Sequence, residues 1–398
     1  MRLSPIMLIA LALVANNCYS DEPASSAPPT TEITPRPKPV EPPSREQIEA
    51  AIRRGVDFLL ADQRPEGCFG SAERTKDLNI YAPVPGAHHG FRAATTALCI
   101  SALLEVHDER PAVAAAIDKG EGWLLEHLPT LRRAEAMAIY NVWGHAFAIQ
   151  ALVKLHSHRA GDSAKQAALK KQIEQQIELL ERYETVNGGW AYYDFTSQTK
   201  KPAGEPTSFT TATVLLAFDD AKKLNIDAPQ KLVDRGLAVI RRQRRPDGAY
   251  LYDDAFRYMP QVSINHPGGS LGRSQVCNLC LRRFGEAKMT DAVISAWLDR
   301  LFARNLWLDI GRKRPIPHES WFFVAGYFFY FGHYYAAEII DELPAAQRAP
   351  HHAQLAHLML KLQETDGSWW DYVLYNYHQQ YGTAFALMTL ACCRTTAE

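Results

Sequence analysis

Apolar residues recur along this chain at the spacing of an α-helix. In the stretch after Ser44, residues Ile48, Ile52, Val56, Leu59 and Leu60 fall three or four positions apart. That interval places them on one face and predicts an amphipathic helix. Ser44 with Gln47 reads as a capping box that opens the helix, and Pro65-Glu66-Gly67 closes it. After a long loop, residues 93–106 form a second helix rich in Ala, Thr and Leu. The alternation then repeats. Residues 116–128 pair with 143–155, 171–183 with 209–224, 231–242 with 274–284, 290–302 with 321–340, and 352–363 with 379–393, making six helical hairpins.

The two arms of a hairpin differ in kind. First arms carry charged faces, such as Arg53, Arg54 and Asp57, or Glu174, Glu178 and Glu181, as expected of helices against water. Second arms are apolar nearly all round, the extreme being Phe322-Phe323-Val324-Ala325-Gly326-Tyr327-Phe328-Phe329. A helix without a polar face must be buried on every side. Six such helices inside six amphipathic ones predict an all-α fold. The expected architecture is an α/α toroid, a double ring of about six outer and six inner helices around a central cavity. Punctuation supports the repeat: Gln63, Tyr183, Gln243 and Gln363 each end a first arm, and Gly67, Gly188, Gly248 and Gly367 follow. Their intervals are multiples of about sixty residues, the mark of one stacked unit.

Composition changes this picture little. The chain of 398 residues is 47% hydrophobic and 22% charged with a formal net charge of −1, which gives no reason to expect nucleic acid as a partner. The run Arg241, Arg242, Arg244, Arg245 reads as cations matched to a helix C-terminus. The N-terminus reads as an export signal over residues 1–20. Arg2 precedes an apolar stretch too short to span a bilayer, and Cys18 and Ser20 supply small residues before a cut. The expected location is therefore periplasmic or secreted, with no transmembrane span after processing. Residues 21–44 hold eight prolines and read as a disordered linker, leaving 45–398 for the toroid domain. Of the six remaining cysteines, Cys277 and Cys280 sit among Val276, Leu279 and Leu281 and read as buried free thiols.

The stretch Arg54-Gly55-Val56-Asp57-Phe58-Leu59 through Gln63 to Gly67-Cys68-Phe69 resembles the QW motif of the terpene cyclase and protein prenyltransferase superfamily. Ala356 through Gln363 to Gly367-Ser368-Trp369 repeats it with the tryptophan in place. Lys119-Gly120 and Arg235-Gly236 carry its front half, and Gly188-Gly189-Trp190 its back half. The resemblance covers about residues 45–393 and implies the same toroid, with the glutamine tying an outer helix to neighbouring backbone and the aromatic packing on the next unit. The superfamily's chemistry carries over less well. Where squalene–hopene type cyclases place an aspartate cluster, this chain has Thr207-Ser208-Phe209-Thr210-Thr211-Ala212, and a hydroxyl cannot protonate an alkene. Asp219 and Asp220 read as surface or cap residues. Tyr377-His378-Gln379-Gln380-Tyr381 resembles the zinc-histidine segment of the prenyltransferases, but the Asp and Cys ligands have no counterpart near His318 and Glu319. No cofactor or resident metal is expected, although His318, Glu319 and His378 are a donor set that suits zinc.

In a closed ring the six inner helices run parallel and present their N-termini, with unpaired N–H groups, at one mouth. Residues at or near those ends are Arg92 and Thr95; Asn141, Trp143 and His145; Thr207 and Thr210; Arg273 and Gln275; His318, Glu319 and Trp321; and Tyr377, His378 and Tyr381. The candidate ligand-binding set drawn from them is Trp143, His145, Thr207, Thr210, Arg273, Glu319, Trp321, His378 and Tyr381. The expected function is an exported toroid that binds a hydrophobic, amphiphilic or anionic small molecule, or a peptide, in its cavity. An enzyme acting on isoprenoids and a carbohydrate-active enzyme are the alternatives. The latter needs paired carboxylates facing the cavity, for which Glu319 is the nominee.

Overall fold

The computed structural model describes residues 35–76, 87–196 and 199–394. The expected signal at 1–20 and the linker as far as residue 34 lie outside the described residues. Among the described residues the chain forms helices and no strands. The hairpins are α1 (Arg45–Asp62) with α2 (Ala87–Glu105), α3 (Pro111–His127) with α4 (Asn141–His158), α5 (Ser163–Tyr183) with α6 (Ser208–Lys222), and α7 (Gln230–Gln243) with α8 (Leu271–Arg283). They continue with α9 (Asp291–Ala303), the one-turn α10 (Asn305–Asp309) and α11 (Phe328–Ile340), then α12 (Ala345–Leu362) with α13 (His378–Cys393).

The second arms pack side by side in the order α2, α4, α6, α8, α11, α13, and α13 returns to α2. This closes the inner ring, and the first arms stand outside it. The division follows from the sequence pattern. Inner helix α6 is buried on almost every side, from Ser208 through Phe218, whereas outer helix α7 buries Leu232, Val233, Gly236, Leu237, Val239 and Ile240 and leaves its charges to water. The capping box at Ser44 and Gln47 is present in both directions, N–H to side chain and side chain to N–H.

The repeated glutamines act as seam bolts. Gln63 Nε2 donates to Gly67 O (2.9 Å) in its own loop and to Ala116 O (2.8 Å) on the next outer helix. Gln363 does the same with Gly367 O and Ala51 O, both 2.9 Å, and Ala51 belongs to α1, so this bolt joins the last unit to the first. Gly367 is forced: its φ is +88°, and a Cβ there would lie 2.5 Å from Arg54 O. Trp369 is fully buried at the same seam, its indole N–H on Met359 O (2.8 Å). A Cβ on Gly55 would sit 2.8 Å from the Trp369 ring, so the glycine of one unit leaves room for the tryptophan of the unit before it. Trp190 meets Gly236 in the same way at the seam between the third and fourth units, at 3.2 Å.

The far end of the ring is plugged by charge. Where the inner helices finish, Lys154 of α4 pairs with Glu105 of α2 (3.2 Å). Arg283 of α8 pairs with Glu338 of α11 (2.9 Å) and Glu342 (3.1 Å), and lies 3.9 Å from Asp220 of α6. Asp220 is thus a buried member of an ion network rather than a surface residue or a cap. The cysteines Cys277 and Cys280 are buried free thiols.

Several helices start earlier than expected, α2 at Ala87, α5 at Ser163 and α12 at Ala345, and two further boundaries differ in kind. The helix expected over 321–340 starts only at Phe328. Phe322 and Phe323 have φ of +60° and +53°, Ser320 Oγ donates to Val324 O (2.6 Å), and the aromatic run crosses the ring mouth as a loop. Residues 35–44, assigned to the linker, run alongside α12, where Gln354 Nε2 donates to Lys38 O (2.6 Å). The packed chain therefore begins before Arg45. No helix among the described residues is long and apolar enough to cross a membrane.

Candidate functional site

The closed ring encloses a cavity of about 530 Å³. It lies at the N-terminal ends of the inner helices, where the described parts of the outer-to-inner connections also run. Helical periodicity selects what faces it. Trp143 and Phe147 of α4, Phe328 and Phe331 of α11, and Tyr381 and Phe385 of α13 all line the cavity. Each pair is three or four residues apart and so shares a face. Phe209 fills the start of α6 and touches Trp143, Phe328 and Tyr252 edge-on or stacked, with ring centroids 4.9–6.0 Å apart, the spacing of favourable ring pairs. α8 adds no lining residue.

The connections supply the rest. Tyr192 and Tyr193, Tyr252 and Asp253, and His318, Phe323 and Tyr327 all line the cavity. Isolated antiparallel bridges fasten these connections to their neighbours: Ala138 to Tyr193, Thr207 to Asp253, and Ser71 to Asn376. Strain gathers here too, because His318, Phe322 and Phe323 all have positive φ, a conformation that non-glycine residues keep only where surroundings impose it. The large apolar side chains most exposed among the described residues, including Phe195 (62%), Tyr258, Leu306, Trp321 (69%) and Phe323, all lie on outer-to-inner connections. The mouth end of the ring is greasy and the opposite end is charged.

Two charged side chains line the cavity among the described residues, Glu205 and Asp253. Asp253 Oδ1 accepts from Ala255 N (2.9 Å) and Phe256 N (3.3 Å). Burial, reinforced by Glu205, pushes its carboxyl up to about 6 against those hydrogen bonds. Behind Tyr381, whose hydroxyl donates to Asp371 Oδ1 (2.7 Å), that second carboxyl also takes Tyr330 N (3.1 Å) and is raised by burial to about 6.

Of the nine candidate residues, Trp143, Thr207 and Tyr381 line the cavity and six do not. His145 is fully buried against the outer ring. Its Nδ1 donates to Gln176 Oε1 of α5 (2.6 Å), and its ring stacks on Tyr183. Two residues after Trp143, it points about 200° round the helix, away from the axis. Thr210 follows Phe209 by one residue and turns inward to the wall, bonded to Thr207 Oγ1 (2.6 Å). Arg273 is buried and spends its guanidinium on the carbonyls of Tyr250 (2.9 Å), Gly269 (2.8 Å) and Ile264, holding the 250–270 connection in place. Glu319 pairs with Arg314 (3.3 Å) outside the cavity, Trp321 is exposed, and His378 donates from Nδ1 to Tyr375 O (2.7 Å) within the wall. Among the described residues no three His, Cys, Asp or Glu side chains converge on a metal-sized site, and His318, Glu319 and His378 each answer to separate partners.

Sequence reasoning missed Asp253, Glu205 and the tyrosines of the connections. Asp253 carried a signal: it follows the Gln243–Gly248 repeat, and the loop after a repeat glycine leads back to the mouth.

No family model matches the chain, and no curated protein matches its sequence. Solved structures do resemble it. The GH76A α-1,6-mannanase of Salegentibacter sp. HEL1_6 aligns over 89% of this chain and 99% of its own at 9% identity, with a TM-score of 0.54. Type II terpene cyclase MstE of Scytonema, as a variant in complex with its substrate geranylgeranyl dihydroxybenzoate, covers 88% and 99% at 14% identity, with a TM-score of 0.51. A possible GH105 family member from Klebsiella pneumoniae covers 95% and 99% at 11% identity, with a TM-score of 0.51. At these identities the likeness shows the fold. The chain is an α/α toroid of the kind shared by a terpenoid cyclase and by glycoside hydrolases, as the sequence repeats imply.

Proposed function

We propose that the chain is an exported toroid whose central cavity binds a long apolar ligand of isoprenoid type. One observation carries this reading: the cavity wall is predominantly aromatic, and its mouth is ringed by exposed apolar side chains. An anion needs a cation, whereas here the facing charges are two acids and Arg273 is turned away. Glu205 and Asp253 are the paired carboxylates a carbohydrate-active enzyme needs, but the aromatic wall around them offers few of the hydrogen bonds that hold a sugar. This favours an uncharged apolar ligand over the anionic one. The terpene cyclase that shares the fold holds a geranylgeranyl chain in its complex, a ligand of the same class. The test is a titration followed by the fluorescence of Trp143, the tryptophan lining the cavity. Geranylgeraniol is expected to bind with a signal that Trp143→Phe loses, and an α-1,6-mannotriose is expected not to bind. Binding of the sugar without the prenyl alcohol would overturn the reading.

A second reading adds chemistry. Thr207 bridges to Asp253, which brings a carboxyl to the start of α6, where the resemblance calls for an acid and the helix itself has none. Since Oδ1 takes both loop N–H groups, a proton on this carboxyl sits on Oδ2. A carboxyl held at about 6 is a serviceable acid in mildly acidic medium. Acid-initiated turnover of a polyprenyl substrate should then rise as pH falls through about 6, levelling off below it, and drop at least a hundredfold in Asp253→Asn. Product formation that is indifferent to that substitution removes Asp253 from the chemistry.

A further inference from the structure

Three phenols and one imidazole meet at the mouth of the cavity, each from a different connection or a different end of one. Tyr192 OH and Tyr252 OH are in direct contact, and each lies 3.4 Å from Tyr327 OH. Tyr327 OH lies 3.1 Å from His318 Nε2. All four side chains line the cavity, so the group is a polar island in an aromatic wall.

Its hydrogens have a direction. His318 Nδ1 is 2.6 Å from Phe323 O, and a carbonyl can only accept, so Nδ1 carries the proton. Burial lowers the His318 pKa, which keeps the ring neutral and makes Nε2 an acceptor. Tyr327 must therefore donate to Nε2. One of Tyr192 and Tyr252 must donate to the other across their direct contact, and the proton of the second is drawn on to Tyr327, in either order. In each arrangement all three O–H groups are committed within the island. What Tyr192 and Tyr252 show the cavity is oxygen lone pairs.

We propose that Tyr192, Tyr252, Tyr327 and His318 form a head-group site that selects a ligand hydroxyl over an ether or a carbonyl. This rests on the apolar-cavity reading and narrows it, from an isoprenoid in general to one ending in an O–H donor. An alcohol donates to the island. A methyl ether brings no donor, and an aldehyde brings an acceptor to face acceptors. Aromatic contact with the chain is the same for all three.

The experiment measures equilibrium binding of geranylgeraniol, its methyl ether and geranylgeranial to the intact protein and to Tyr327→Phe. One neutral hydrogen bond corresponds to roughly 3- to 10-fold in affinity. The alcohol is expected to bind that much more tightly than either analogue. In Tyr327→Phe a phenol proton upstream loses its acceptor and becomes available, so the preference over the aldehyde should shrink toward unity or reverse. The methyl ether, whose oxygen can also accept the freed proton, is expected to bind that variant at least as tightly as the wild type, which shows that the cavity is intact. Equal binding of all three ligands by the wild-type protein overturns the head-group site and leaves the apolar cavity standing. Failure of all three to bind overturns both.

Discussion

Replacing Trp369 by alanine is expected to destabilise the protein by about 3–5 kcal/mol, the cost of emptying a fully buried indole site. Trp369 stands where the last unit meets the first. It fills the space left by Gly55 on α1, donates from its indole N–H to Met359 O, and donates from its backbone N–H to Thr383 Oγ1 (3.0 Å). In an open superhelix this position would be an end, free to fray, and the substitution would cost little. In a closed ring it is a seam like any other. Trp190→Ala, which empties the equivalent place against Gly236, is therefore the control. Chemical denaturation followed by circular dichroism should give the two variants similar losses. A loss below about 1 kcal/mol for Trp369→Ala beside several for Trp190→Ala would mean that the ring does not close.

Acid is expected to destabilise the fold steeply between about pH 6.5 and pH 4. Four buried imidazoles, His145, His333, His352 and His378, are held neutral, their pKa pushed down to about 4, chiefly by burial. Hydrogen bonds with Gln176, Phe329 O and Tyr375 O oppose that shift without cancelling it. An unfolded imidazole titrates near 6.5, so in this window the unfolded state binds more protons and stability falls as pH falls. Stability from these groups is complete above 6.5 and gone below 4. Each contributes on the order of 3 kcal/mol. The buried carboxyls of Asp253 and Asp371 work the other way, since their folded pKa of about 6 lies above the ordinary value and protonation favours the fold. Burial also raises the carboxyls of Asp62, Glu105, Asp219 and Asp341, which offsets part of the loss. With four imidazoles pushed to about 4, the net change is still a loss, on the order of a few kcal/mol. Denaturation midpoints measured from pH 7.5 to 4.5 should show it, and variants give it a signature. His145→Gln should flatten the slope, whereas Asp371→Asn should steepen it. Constant stability across the window would contradict this assignment.

The architecture was legible because it rests on periodicities that the chain states repeatedly. Polar faces on alternate helices, apolar second arms and the Gln–Gly–aromatic punctuation all survive in the folded ring, down to the bolts made by Gln63 and Gln363. The site was legible only in part, and the reason is angular. Position along the sequence says that a residue lies near the start of an inner helix, but one residue is about 100° of rotation. Trp143 and Tyr381 face the axis; His145 and Thr210, one or two positions from lining residues, face the wall. The better signal was aromatic pairs three or four apart at the head of an inner helix: Trp143 with Phe147, Phe328 with Phe331, Tyr381 with Phe385. Tyr192 and Tyr252 do follow their repeat glycines, Gly188 and Gly248, by four residues each, but they and Asp253 lie on connections, where no helical face says which way a side chain points. Their place depends on long-range bridges such as Thr207 to Asp253, which a local pattern cannot reveal.

If an apolar ligand occupies the chamber inside the six inner helices, as proposed, filling that chamber must weaken its binding. Ala94 lies on the cavity face of α2, away from the seams and from the tyrosine island. Geranylgeraniol binding should be present in the wild-type protein and at least tenfold weaker in Ala94→Trp, with the folded circular dichroism spectrum retained. Equal affinity in the two folded proteins would place the ligand elsewhere and leave the chamber without the role assigned to it.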